Sequence, residues 1–380
     1  MATPHFRLMI PGPVDAEDDV LAALAEPVLP HYGKQWMAIY DETVERLKRL
    51  FGTSNDLFLM PGPGTAGLDA ALGSLMRTGE KVLVLSNGFF GKRLGTVARS
   101  YGLGVRSVEA PLGQPLDPEA LRQCLSAERD IQAVAVVHLE TSTGVLNPLK
   151  EIAAVANEFE VPIIVDAVSS LGGIPLSVDE WGIDVCVTVV NKCLACPPGL
   201  VPISVSQRAW EQIDRKSGRA HGWYLNLRTW KDYAINWAPW HPYPTTLPTN
   251  NIVALLTSLR RILDGGLEAH YSRHAQAAQA VRARLKKLGF EMFTAEAHTS
   301  PLLSTVCGLP GMDVNAFRRY LVEEWRIMVA GGLEELSGKI FRVGHMGKAA
   351  SADYVERFLD GVEAYLRLQG YDVPPRERGS

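Results

Sequence analysis

Lys192 follows an apolar run, Val185-Cys186-Val187-Thr188-Val189-Val190, and precedes a turn rich in proline and glycine, Cys193 through Gly199. A strand that delivers a lysine into such a turn holds a flexible cation at its end. Lysine is almost never fully buried without a partner. When it is held out of water, its pKa falls and the amine becomes nucleophilic. A second apolar run, Val161-Pro162-Ile163-Ile164-Val165, ends in Asp166. Two buried strands therefore end in an acid and an amine. The plainer reading is a lysine that snorkels to solvent and an acid that caps the turn Ala167-Val168-Ser169-Ser170.

Further groups bear on that choice. Gly62-Pro63-Gly64-Thr65-Ala66-Gly67 precedes a helical pattern. Free N–H groups at such a helix start attract a phosphate, and Thr65 adds a hydroxyl. The loop lacks the Gly-Lys-Ser/Thr ending of a Walker loop, and it lacks dinucleotide spacing. Phe90 follows the next strand and is placed to stack on a ring. Arg342 is a lone cation in an apolar strand, where it meets either an internal acid or a substrate carboxylate in a two-pronged bond. Together, a nucleophilic amine, a buried acid and a phosphate cradle suggest a Schiff-base enzyme using pyridoxal phosphate, with Asp166 holding the ring nitrogen protonated. Cys193-Leu194-Ala195-Cys196 has redox spacing, but zinc needs a second ligand pair, and Cys124, Cys186 and Cys307 are scattered.

The elements that must position these groups alternate. Leu57 to Met60, Lys81 to Leu85, Ala133 to Val137, Ile163 to Val165 and Val185 to Val190 read as strands. Leu68, Leu72, Leu75 and Met76 share a helical face. Asp117-Pro118-Glu119 is a helix start, with an acidic N-cap and proline at the first helical position. Ile152 to Phe159 reads as a helix. The alternation implies an α/β fold with a mostly parallel sheet and helices on both faces. Ligands on such sheets bind beyond the carboxyl ends of strands, where Asp166 and Lys192 lie. After about residue 220 four tryptophans crowd together, Trp223, Trp230, Trp237 and Trp240. Helical patterns follow at Ile252–Leu263, Ala275–Leu288 and from Ser351. Strands are expected at Leu302–Val306 and Ile340–Val343. The expected organisation is an N-terminal arm (1–15), a large cofactor-binding domain (16–250), a smaller α+β C-terminal domain (251–373) and a disordered tail (374–380).

The chain has 380 residues, 47% hydrophobic, with a formal net charge of −4. That length exceeds a single growing core. No block of like charge points to nucleic acid or a membrane surface, and no apolar run reaches the ~20 residues of a span. Five cysteines without disulfide spacing fit a reducing cytoplasm.

The motifs Gly62-Pro63-Gly64-Thr65, Asn87-Gly88-Phe89-Phe90-Gly91, Glu140-Thr141-Ser142-Thr143-Gly144, Val165 to Ser170, Asn191-Lys192 through Gly199, and Gly338 to Arg342 occur in one order. In that order the chain resembles the class V aminotransferases of the fold-type I pyridoxal-phosphate superfamily, in particular the alanine/serine–glyoxylate (serine–pyruvate) group. The resemblance runs from Pro11-Gly12-Pro13 to about Gly347. It implies a transaminase in which Lys192 is the Schiff-base lysine and Asp166 the partner of the pyridinium. It implies cofactor contacts from Gly64, Thr65, Ala66, Phe90, Thr141, Val168 and Asn191, and substrate contacts from Arg342 and Gly12. Tyr243 and Thr246 match phosphate contacts supplied by a neighbouring subunit, so a homodimer with shared sites is implied. Small amino acids and 2-oxo acids are the implied substrates. The chain is also similar to pyridoxamine–pyruvate aminotransferase, which carries an acid near the position of Pro63 and a second arginine near Gly331 or Gly332; neither is present here. Two rivals are a lyase or desulfurase on the same fold, which needs a mobile cysteine over the cofactor, and a binding protein that has no use for a nucleophilic lysine.

Overall fold

The computed structural model describes residues 6–216 and 221–376. Seven strands form the central sheet, in the spatial order Asp56–Gly62, Gly199–Val205, Val185–Val187, Ile163–Asp166, Ile131–Val137, Lys81–Ser86, Gly104–Glu109. The five from Val185–Val187 to Gly104–Glu109 run parallel. Gly199–Val205 is antiparallel to both of its neighbours. Ile163 to Asp166 is buried at every position, as expected for a strand covered by helices on both faces. Register places Asp166 between Val137 and Val187, so three strands end side by side. Lys192 follows five residues beyond Val187.

The helix Gly64–Leu75 lies directly on the sheet. At Gly67 a Cβ would come within 2.5 Å of Val201 and 2.6 Å of Val187, so only glycine permits this approach. Leu68, Leu72, Leu75 and Met76 are buried, as their spacing required. The helix Pro118–Ala127 begins as expected, with the Asp117 carboxylate accepting from the Glu119 N–H.

A second sheet has the order Arg7–Met9, Ile327–Gly331, Ile340–Gly344, Leu303–Cys307. The helices Leu267–Lys287, Val314–Trp325 and Ala352–Leu368 enclose it in a core containing Val281, Phe317, Phe341 and Phe358. Three expectations need revision. Arg7–Met9 is an edge strand pairing parallel with Ile327–Gly331, where an arm was expected. The helix Thr249–Asp264 belongs to the first core through Ile252, Leu255 and Leu259, so that core runs past residue 250. Pro374 and Arg376 are tethered: the Pro374 carbonyl accepts from Arg284, and Arg376 pairs with Glu363, so the described part of the tail is anchored. Residues 377–380 lie outside the described residues. No helix among the described residues is long and apolar enough to cross a membrane.

Candidate active site

The carboxyl ends of the parallel strands open into a cavity of about 240 Å³ lined by Gly64, Thr65, Phe90, Asp166, Val168, Asn191 and Lys192 among others. Seven residues singled out along 129 positions (192 − 64 + 1) thus face one space. Lys192 is held there by a short turn. The Ala195 N–H donates to the Lys192 carbonyl, and the Cys196 N–H donates to the Val190 carbonyl. Burial lowers the Lys192 pKa to about 8, while Cys193 and Asp166 resist that fall and Arg342 adds to it. Its ammonium reaches Ser169 Oγ at 3.3 Å. No ion pair ties it to a carboxylate among the described residues. Gly12 passes against its stem: a Cβ there would lie 2.4 Å from Lys192 Cδ.

Asp166 accepts from the Val168 N–H at 3.0 Å. Burial raises its pKa to about 6, the Val168 bond opposes this, and the Glu140 charge adds to it. Lys192 and Arg93 pull in the other direction. Such a buried acid is stabilised by a cation brought to it. Pyridoxal phosphate fits these features. Its protonated ring nitrogen supplies the cation that Asp166 lacks, and its aldehyde suits an amine lowered toward neutrality. Its phosphate suits the start of the Gly64–Leu75 helix, where Pro63 provides no side-chain cap and the first N–H groups have no helical partner. The Ala66 N–H is different, because it already donates to the Pro63 carbonyl at 2.8 Å. The free donors are therefore those of Gly64 and Thr65.

Arg342 and Thr141 do not line this cavity, but they meet each other. Arg342 Nη1 donates to the Thr141 carbonyl at 2.6 Å and Nε to the Gly331 carbonyl at 2.8 Å. Burial lowers the Arg342 pKa to about 10, and Glu140 counters that. Among the described residues Arg342 forms no ion pair, so the internal acid considered for it is not there. Tyr243 is fully buried. Its hydroxyl accepts from Trp36 Nε1 at 2.6 Å and donates to the His31 carbonyl. As folded, it shows no surface to a second chain. Thr246, three residues on, is exposed.

Two residues were not anticipated. Arg93 lines the cavity one helical turn beyond Phe90; that i, i+3 spacing was the available signal. Glu140, inside a motif already noted, is a fully buried carboxylate. The cysteines beside the lysine are inert. Cys193 Sγ points to the Ser169 carbonyl and Cys196 Sγ to the Ala254 carbonyl, and burial pushes both thiols up to about 12. Among the described residues no group of three or more His, Cys, Asp or Glu side chains is arranged to hold a metal.

Comparison with known proteins completes the description. Residues 15–355 match the family described as aminotransferase class-V. An uncharacterized aminotransferase of Methanocaldococcus jannaschii is 40% identical, over 96% of this chain and 94% of that protein. The pyridoxamine–pyruvate transaminase of Mesorhizobium japonicum is 33% identical, over 94% of this chain and 91% of its own length. Among solved structures, an alanine–glyoxylate aminotransferase from Nostoc sp. superposes with a TM-score of 0.92 at 34% identity, covering 97% of each chain.

Proposed function

The chain belongs to the class-V aminotransferases, and from that premise we propose that it moves the amino group of a small amino acid, alanine or serine, to glyoxylate or pyruvate. It is a pyridoxal-phosphate-dependent transaminase of fold type I. The donor leaves as a 2-oxo acid and the acceptor leaves as an amino acid. One observation carries the reading: a buried lysine with a lowered pKa shares a cavity with a buried acid, and among the described residues no ion pair occupies the lysine.

Pyridoxal phosphate, when bound, supplies an electron sink for the charge left at the donor's Cα. The chain's residues do the rest. Asp166 keeps a proton on the ring nitrogen, which deepens that sink. The Gly64 and Thr65 N–H groups take the phosphate, and Phe90 covers one face of the ring. Lys192 first anchors the cofactor. With cofactor and substrate in place, its Nζ would move the proton at the donor's Cα. Arg342 orients the substrate carboxylate, because its two bonded nitrogens lock the guanidinium plane while Nη2 makes no bond among the described residues. Thr246 is exposed and is the residue through which a second copy would complete the phosphate site; Tyr243 would have to leave its pocket to join it. Five cysteines, all free, support a cytoplasmic setting.

The test is the visible spectrum of the purified protein with pyridoxal phosphate, followed by L-alanine or L-serine without an acceptor. A band from the cofactor joined to Lys192 that bleaches on addition of either amino acid is expected. A band that persists with both, yet bleaches with pyridoxamine, transfers the assignment to that amine. The absence of any band overturns the role of Lys192.

A further inference from the structure

Glu140 does not line the cavity, yet it touches both arms of the site. It is fully buried. Its Oε2 accepts from the Phe90 and Gly91 N–H groups, each at 3.0 Å. Its Oε1 accepts from the Ser142 N–H at 3.0 Å and the Ser142 hydroxyl at 2.6 Å. The same hydroxyl accepts from the Phe89 N–H at 3.0 Å. Burial raises the Glu140 pKa, and the bonds from Ser142, Gly91 and Phe90 oppose that rise. The three backbone N–H groups can only donate, so they are served by carboxylate oxygens that accept.

The contacts divide into two. The helix Phe89–Ser100 starts at Gly88, which has no side chain to cap it. Glu140 caps it from another segment and places a negative charge at the positive end of the helix. The cap fixes the backbone of Phe90, the ring that covers the cofactor. Even the absence of a side chain at Gly88 serves this contact, since a Cβ there would meet Glu140 Cδ at 2.6 Å. The second contact works through a peptide plane. The Ser142 N–H and the Thr141 carbonyl belong to one planar unit. Glu140 holds the N–H end, and the carbonyl end holds Arg342 Nη1 at 2.6 Å. Turning that plane would turn the acceptor away from the arginine.

We propose that Glu140 is a positioning residue that sets the cofactor-stacking ring and the substrate-binding guanidinium together, so that one buried carboxylate aligns both arms of the site. This rests on the roles assigned above to Phe90 and Arg342.

Glu140→Gln is close to isosteric but brings two N–H donors where only acceptors serve. Either the Phe89–Ser100 helix or the Ser142 N–H then loses its acceptor. Pyridoxal phosphate Kd, by titration of the apo-protein, and amino-acid KM in the holoenzyme are both expected to rise roughly tenfold, the scale of a lost buried hydrogen bond. Glu363→Gln is the control. Glu363 is a buried acid of the second core, 2.8 Å from Arg284, and its change should lower Tm without moving Kd or KM. Values for E140Q within about twofold of wild type, with only Tm lowered, would overturn the proposal, as would a shift in one constant alone. If E140Q does not fold, Ser142→Ala takes its place. It removes one donor to Glu140 and the acceptor for Phe89, and both constants should rise by a smaller factor; unchanged constants overturn the proposal equally. A wild-type protein that takes up no pyridoxal phosphate refutes the function proposed above. A wild type that takes it up beside an unshifted variant refutes only the role of Glu140.

Discussion

Burial brings the Lys192 ammonium down to about 8, and the direction of that shift fixes a pH response. Below that value the amine is protonated and cannot attack an aldehyde; above it the amine is free. Capture of pyridoxal phosphate by the apo-protein should therefore quicken about tenfold per pH unit and level off near pH 8, whereas an ordinary lysine near 10.4 would still be gaining at pH 9. Stopped-flow absorbance across that range checks it. Asp166→Asn keeps the shape and removes the charge that retains the ring proton. Turnover should drop by roughly 10²–10³, the usual scale for a lost electrostatic partner, with substrate KM much less affected. Arg342→Lys keeps the charge but breaks the fork, so KM for the amino acid should rise about 10-fold or more while the cofactor band persists. Lys192, Asp166 and Arg342 were readable in the sequence because each puts a charge inside an apolar run. Arg93 and Glu140 were not: one lies on an exposed helix face, and the other acts mostly through backbone N–H groups, which no side-chain pattern reveals.

Elements carry a different kind of information. The Lys81–Ser86, Ile131–Val137 and Ile163–Asp166 strands were legible as apolar runs, and the Asp117 cap as a helix start. Gly199–Val205 was missed, although it runs between two strands of the sheet. Pro202 sits at its centre, and proline normally demotes a strand to an edge. Its carbonyl still accepts from the Thr188 N–H at 3.0 Å, so the ladder survives on that side. Gly104–Glu109 has only exposed and half-buried residues at the sheet edge, which erases the apolar signal. Arg7–Met9 is too short to announce itself. The Gly64–Leu75 helix makes an element-level prediction possible. Gly67→Ala would press a methyl into Val187 and Val201 and lift the helix off the sheet. The cost should be about 1–3 kcal/mol of stability, seen as a lower Tm. Because the same helix presents the Gly64 and Thr65 donors, the apo-protein should also bind pyridoxal phosphate more weakly, by titration.

At the scale of the whole molecule, the surface between Trp223 and Trp240 stands out. Trp223, Trp237 and Trp240 are 43–56% exposed. Their rings form a chain with Tyr32 and Tyr233, the Tyr233 and Trp237 rings being stacked at 5.9 Å. Contiguous apolar surface of this kind usually marks an interface. With the shared sites proposed above, a second copy of the chain is the expected cover. Sedimentation should give the mass of a dimer, and Trp237→Ser with Trp240→Ser should shift it toward the monomer. The Arg7–Met9 strand links the molecule's two cores in another way. It pairs with residues 320 positions later (327 − 7). The segment leading from it lays Gly12 over the Lys192 stem and donates from the Val14 N–H to the Asn191 carbonyl. On a ribosome, the strand is made 320 residues before its partner (327 − 7). The first sheet can assemble while synthesis continues, but the wall over the lysine is pinned only when Ile327–Gly331 has emerged. Nascent chains halted before that point should expose Lys192 to solvent reagents, so cofactor capture belongs to the completed polypeptide and not to the growing one.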